Sequence, residues 1–242
     1  MNRIEEIIKE RPHLESPLSF YKKVREYAAK CEKEIDIFGK EETFPRVIKT
    51  LCDLFGLPKE SLHFLIDELS EKGIDPFSSP SSIYRLPFYH DELKEDEKKR
   101  LLFLLSKPFF LRLKKDKVIS FAEDGRCPVC GEIPSISRIT EDNHRKLLCS
   151  FCEHEADFHR IGCPFCLIKE GEKIDILLDE EDIRVELCNN CKSYIKSMRE
   201  EHISKYEDPF LVDIVSLPLD VIAQKRGYIR RSPNLIGVLD IK

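Results

Sequence analysis

Eight cysteines in four C-x-x-C pairs carry the chemistry that this sequence can be read for: Cys127/Cys130, Cys149/Cys152, Cys163/Cys166 and Cys188/Cys191. Two residues between a pair of cysteines let both sulfurs of one tight turn reach a single ion. Two such turns supply four thiolates, a closed tetrahedral site. Four turns therefore make two sites. The gaps between the pairs are 18, 10 and 21 residues. The first and last suit a metal ribbon, and the short middle gap suits a linker. The spacing pairs Cys127/Cys130 with Cys149/Cys152, and Cys163/Cys166 with Cys188/Cys191. A crossed pairing, first with third and second with fourth, is the alternative, and a disulfide framework is the alternative to metal. The start of the chain has acidic residues at once and no apolar run, so it reads as no signal peptide, and no apolar stretch is long enough to span a bilayer. A soluble, intracellular protein is expected, and reduced thiols there favour metal.

The elements that must position these turns fall into two styles. Of 242 residues, 41% are hydrophobic and 35% charged, with no Trp. This allows a packed core in one large domain or several small ones. Residues 1–10 read as a short helix. Ser16-Pro17 reads as a capped start of a helix running to about Gly39. Further helices are expected near Phe44–Phe55, from Pro58 to Gly73 and over Asp91–Leu113, where Pro108 should kink or end the last one. Between them, Asp75–Tyr89 reads as a loop. From Val118 onward short strands are expected. Ile133–Ile139 with Arg145–Leu148, and Lys173–Leu178 with Ile183–Leu187, read as the hairpin arms of two ribbons. Helix is expected again over Lys192–Lys205 and from Asp208-Pro209 to Gly227. The fold class is thus α plus small β: residues 1–120 an α-helical domain, 121–160 and 161–196 two tandem rubredoxin-like ribbons, and 197–242 C-terminal helices and tail.

Lone Cys31 and Cys52 sit on apolar helix stripes and read as small buried hydrophobes. His144, His154 and His159 lie among the knuckles, but eight cysteines already complete two tetrahedra. No Gly-rich phosphate loop and no serine nucleophile elbow occurs. Residues 127–191 hold 7 Lys+Arg against 14 Asp+Glu, which disfavours a nucleic-acid-binding ribbon, because phosphate needs a basic face. A redox protein, either an electron carrier or a thiol enzyme, is a third class that these cysteines allow.

The knuckle region resembles the FdhE family. The resemblance runs through Cys127-Pro128-Val129-Cys130-Gly131, Arg145 and Leu148-Cys149-Ser150 to Cys152-Glu153. It continues through Arg160, Cys163 and Cys166, then Glu186, Cys188, Cys191, Tyr194 and Lys196. It includes Asp213, Ser216-Leu217 and Asp220, and resumes at Gly227-Tyr228, Arg230, Ser232 and Asn234. It departs where the family carries Trp and this chain has Ala156, with Phe158 as the substitute aromatic, and where the family's Gly is Lys192. The resemblance implies a non-catalytic, cytoplasmic accessory protein of formate dehydrogenase. Such a protein would bind the catalytic subunit of that molybdenum or tungsten enzyme during assembly, before export. It also implies two metal ions in four-cysteine sites, iron by resemblance, with zinc equally acceptable to four thiolates.

Overall fold

The computed structural model describes residues 3–58, 60–115 and 123–240. The helical half comprises α1 (Arg3–Glu10), α2 (Glu15–Ile37), α3 (Lys40–Phe55), α4 (Phe64–Glu71), α5 (Pro80–Tyr84) and α6 (Glu95–Lys115). Four features differ from expectation, the first being that the helix expected from Pro58 begins only at Phe64. α2 follows directly on a 3-10 turn, Pro12–Leu14, and has no side-chain cap; buried Leu14 anchors its start in place of Ser16. The loop around Pro80 contains α5. And α6 runs through Pro108 to Lys115. Proline in a helix interior costs about 3 kcal/mol, but Phe103, Leu105, Phe109 and Phe110 are fully buried along this helix, each contributing roughly 1.5–3 kcal/mol. The sum of these burials exceeds the cost.

The second half forms β1 (Ile136–Ile139), β2 (Arg145–Leu148), β3 (Glu155–Phe158), β4 (Ile174–Leu178), β5 (Arg184–Cys188) and β6 (Ser193–Arg199). It ends in α7 (Glu200–Tyr206), α8 (Pro209–Val215), α9 (Leu217–Lys225) and β7 (Ile229–Arg230). The expected hairpins are present. They are joined into one sheet of order β3-β2-β1-β6-β5-β4, with β7 also on β6. The join is a parallel pairing of β1 with β6, Ile136 opposite Lys196 through Ile139 opposite Arg199.

Residues 193–199 correct the helix expected over Lys192–Lys205. Tyr194, Ile195 and Met198 satisfy a helical stripe as well as a strand, so local periodicity does not decide. Flanked by β1 and β5, β6 is buried on both faces. Its Lys196 is wholly buried and paired with Asp213 and Asp220, a non-local contact that overrides the polar look of the residue.

One core runs from Ile4 and Ile7 of α1 to Leu235 and Ile236 of the tail. On the sheet's inner face it takes in Ile136, Leu148, Val185, Leu187, Tyr194 and Met198. A smaller cluster, Leu147, Ala156, Phe158 and Ile195, covers the outer face. The expected module boundary at 120/121 and the onset of strand character at Val118 lie outside the described residues.

Candidate metal centres

Each C-x-x-C turn is built the same way. The residue after the second cysteine donates its N–H to the carbonyl of the first: Gly131 to Cys127 and Glu153 to Cys149 at 2.8 Å, Leu167 to Cys163 and Lys192 to Cys188 at 2.9 Å. All four of these residues have left-handed backbone, φ between 53° and 75°. Glycine adopts this region without penalty, whereas other residues pay about 1–2 kcal/mol. Only the first turn has glycine. At the fourth, Lys192 accepts the strain and recovers part of it by hydrogen bonding Asn189 Oδ1 at 3.2 Å and lying over the Tyr228 ring at 5.2 Å.

The turns bring the sulfurs together in two groups, Cys127/Cys130/Cys149/Cys152 and Cys163/Cys166/Cys188/Cys191, each with all four sulfurs within 4.8 Å of one another. The grouping is sequential, not crossed. Cys127 Sγ lies 3.4 Å from Cys152 Sγ, and Cys130 Sγ 3.6 Å from Cys149 Sγ. In the second group, Cys163 lies 3.7 Å from Cys191, and Cys166 3.6 Å from Cys188. All are free thiols, far beyond the disulfide length of about 2 Å. Sulfurs placed about 2.3 Å from one tetrahedral ion would stand about 3.8 Å apart. The donor type, number and spacing therefore fit, and each group could hold one metal ion.

The two groups have different surroundings. Cys127, Cys149 and Cys152 are buried in the main core. Phe151, within the second turn, is ringed by Tyr84, Phe103 and Phe110 at 4.9–5.1 Å. From α6, buried Lys107 donates to the carbonyls of Ser150 (2.8 Å) and Phe151 (3.3 Å) and pairs with Glu153 at 2.8 Å. Arg25 of α2 also pairs with Glu153, at 2.7 Å. Burial pushes the Glu153 carboxyl up, but Lys107 and Arg25 outweigh it and hold it at about 2. The helical half thus closes over the first group except at Cys130, which is partly exposed. The second has Cys166 and Cys191 partly exposed. Burial pushes Cys166 up, yet hydrogen bonds from the Asn190 side chain and the Ile168 backbone more than offset it and hold the thiol at about 7.

Behind the second group lies a buried ion cluster. Arg230 pairs with Asp213 (2.6 Å) and Asp220 (2.8 Å), and Lys196 pairs with both carboxylates. Tyr194 donates to Asp220 at 2.8 Å, and Lys196 donates to Ser216 Oγ at 3.1 Å. Burial pushes the Asp213 carboxyl up, but Arg230 and Lys196 bring it below its ordinary value. Two cations and two carboxylates balance, and the cluster bolts α8, α9 and β7 to β6.

Glu186 pairs with buried Arg145 at 2.9 Å across the ribbon junction, and Arg145 donates to the Gly162 carbonyl at 2.8 Å. Arg160 donates to Asn143. Phe158 takes the aromatic place on the outer face, stacked against Arg145. His144, His154 and His159 belong to neither cysteine group. Cys31 and Cys52 are buried in the core, and burial raises both thiols. Sequence reasoning did not single out Arg25 and Lys107. Nothing local marks them, since the carboxylates and carbonyls they bind lie more than 40 residues away.

Comparison with known proteins agrees with this arrangement. The FdhE C-terminal domain family matches residues 147–236. An FdhE homologue of Pseudomonas aeruginosa is 32% identical over 140 residues, covering 53% of this chain and 44% of that protein. One from Aquifex aeolicus is 37% identical over 119 residues, covering 46% and 41%. The FdhE protein of Escherichia coli is 35% identical over 113 residues, covering 45% and 36%. The aligned stretches thus span less than half the length of these relatives. The crystal structure of the FdhE protein from Pseudomonas aeruginosa superposes with a TM-score of 0.61 at 19% identity, covering 97% of this chain and 92% of that one, which is a likeness of fold. Residues 147–236 thus match the FdhE C-terminal domain, and the chain is similar in sequence over this part, and in fold, to FdhE proteins.

Proposed function

We propose that this chain is a non-catalytic accessory protein that binds the catalytic subunit of a molybdenum or tungsten formate dehydrogenase in the cytoplasm during its assembly. Cys127, Cys130, Cys149 and Cys152 would hold one metal ion, and Cys163, Cys166, Cys188 and Cys191 a second, iron or zinc. The segments 1–120, 121–160, 161–196 and 197–242 act as modules of one unit. The observation that carries this reading is the use made of the polar residues of the FdhE resemblance. Tyr194, Lys196, Asp213, Asp220 and Arg230 are spent on one another inside the molecule. They brace a scaffold, and none of the five is open to solvent to act as an acid or base. The metal ions would complete small ribbons whose own cores are too small to stand alone. Retention of the formate dehydrogenase catalytic subunit by the immobilised, metal-replete chain under anaerobic conditions tests the proposal. No retention would sink it.

A second reading, a rubredoxin-like redox or thiol role, draws on the partial exposure of Cys166 and Cys191. Thiolate ligands near solvent can exchange electrons or release metal. A reversible change in visible absorption on reducing the iron-loaded chain would support it, and a native protein loaded with zinc alone would count against electron transfer.

A further inference from the structure

The strand order leaves β4 at one end of the sheet, paired among the described residues only with β5. At the two ends of this ladder, Asn189 donates to the Lys173 carbonyl at 2.8 Å and Asp179 donates to the Ile183 carbonyl at 3.2 Å. Both are odd-numbered positions of β4 and its extensions. Antiparallel ladders alternate, so Asp175 and Leu177 also turn their backbone groups toward β5. The N–H and C=O of Ile176 and Leu178 therefore point away from the sheet. These two side chains are also 52% and 54% exposed, while Leu177 packs on the core.

Natural edge strands are usually protected by lysine, proline, a bulge or a covering element. β4 reads Ile-Asp-Ile-Leu-Leu, with the single charge of Asp175 and no lysine, proline or bulge within it. It has a strongly one-signed flank: residues 170–182 carry seven Asp or Glu and one Lys. Pairing this edge with the same edge of a second copy would bring carboxylates face to face, which is destabilising. The same flank attracts a basic strand.

We propose that β4 is an acceptor edge for an extended segment of a partner protein, with alternating apolar side chains and Lys or Arg at its ends. The backbone of Ile176 and Leu178 would supply the ladder bonds, the two exposed apolar side chains the contact, and Glu172, Asp175 and Glu180 the charge selection. This goes beyond the accessory reading above and does not depend on which protein supplies the strand.

The test uses the full, metal-loaded chain and a fluorescein-labelled synthetic peptide, Lys-Lys-Val-Thr-Val-Thr-Val-Lys-Lys, with a control carrying Glu for every Lys. The wild-type chain should bind the basic peptide saturably, with slowed amide exchange at Ile176 and Leu178. Ile176→Pro removes an outward N–H and leaves the bonds to β5 in place, so it should weaken binding at least tenfold. The exposed pair Glu172→Lys/Glu180→Lys should do the same without touching the ladder, and covers the case in which Ile176→Pro does not fold. Unchanged metal content and circular dichroism establish folding. Absent binding by the wild-type chain, undiminished binding by a folded Ile176→Pro, equal affinity for the Glu peptide, or a wild-type dimer that Ile176→Pro dissociates would each overturn the proposal. If folded Ile176→Pro keeps formate dehydrogenase binding but loses the peptide, both readings stand with separate surfaces. If only the subunit fails to bind the wild-type chain, the accessory reading falls alone.

Discussion

Arg230 and Glu181 show how single side chains decide local stability here. Removing the guanidinium in Arg230→Met would leave Asp213 and Asp220, both wholly buried, with Lys196 as their one remaining cation among the described residues. Breaking a buried ion set from one side costs about 3–5 kcal/mol. Denaturant unfolding of the variant is expected to show a loss of that size. Glu181 works closer to the surface. It lies in the β4–β5 turn and pairs with Arg11, Lys205 and the Tyr206 hydroxyl. Burial raises its carboxyl, but Lys205, Tyr206 and Arg11 more than compensate and bring it from 4.5 to about 2. A carboxyl lowered on folding stabilises the folded state fully above its unfolded value and loses this as pH falls toward its folded one. Thermal stability should therefore decline between pH about 4.5 and 2, and Glu181→Gln should flatten that part of the profile. The ion partners at these positions were only partly legible in the sequence. Lys196, Asp213 and Arg230 stood out through family resemblance, because spacing says nothing of who pairs with whom across 17 residues or more. Lys107 and Arg25 left no trace at all, since a cation on a helix is ordinarily a solvated one.

The four C-x-x-C turns were legible because two residues between cysteines define a local geometry that the rest of the chain need not supply. What joins them was not. β3 is four residues long and lies inside the ten-residue gap that reads from spacing as a linker, which it corrects. The identity of β6 as a strand rests on pairing with β5 and with β1, the latter more than fifty residues earlier. The first group of cysteines also proves to be part of the helical half's core through Phe151. Cys127→Ala should accordingly cost one of two bound metal ions. It should also loosen α6, and the melting transition should fall with it. The second ion should remain, and metal analysis showing two ions per chain would contradict the grouping. Sequence reading set the helical half apart from the knuckles. Lys107 and Arg25 instead tie the two together at Glu153.

At the scale of the molecule the two centres are unequal. One is enclosed by α2, α6 and aromatic rings, and the other sits where Cys166 and Cys191 reach the surface. A chelator added in excess should strip the loaded chain in two phases, the second centre first. A single phase, or loss of the first centre ahead of the second, would show that enclosure does not govern release. The described residues include no helix long and apolar enough to cross a membrane.

The parallel pairing of β1 with β6 has a consequence for how the chain fills with metal. An ion at either centre fixes the strands that leave it, and β1 and β6 leave different centres yet share one ladder. Order imposed by the first ion is handed on as a ready-made template for the second. Loading should therefore be positively cooperative: a titration of the stripped chain is expected to be sigmoidal, with partly filled molecules scarcer than independent sites would give. Ile139→Pro disturbs that ladder, because the even-numbered residues of β1 turn their N–H groups to β2 and the odd-numbered ones to β6, and it should return the curve toward two independent steps. The chain would then respond to metal supply more as a threshold than as a graded sensor.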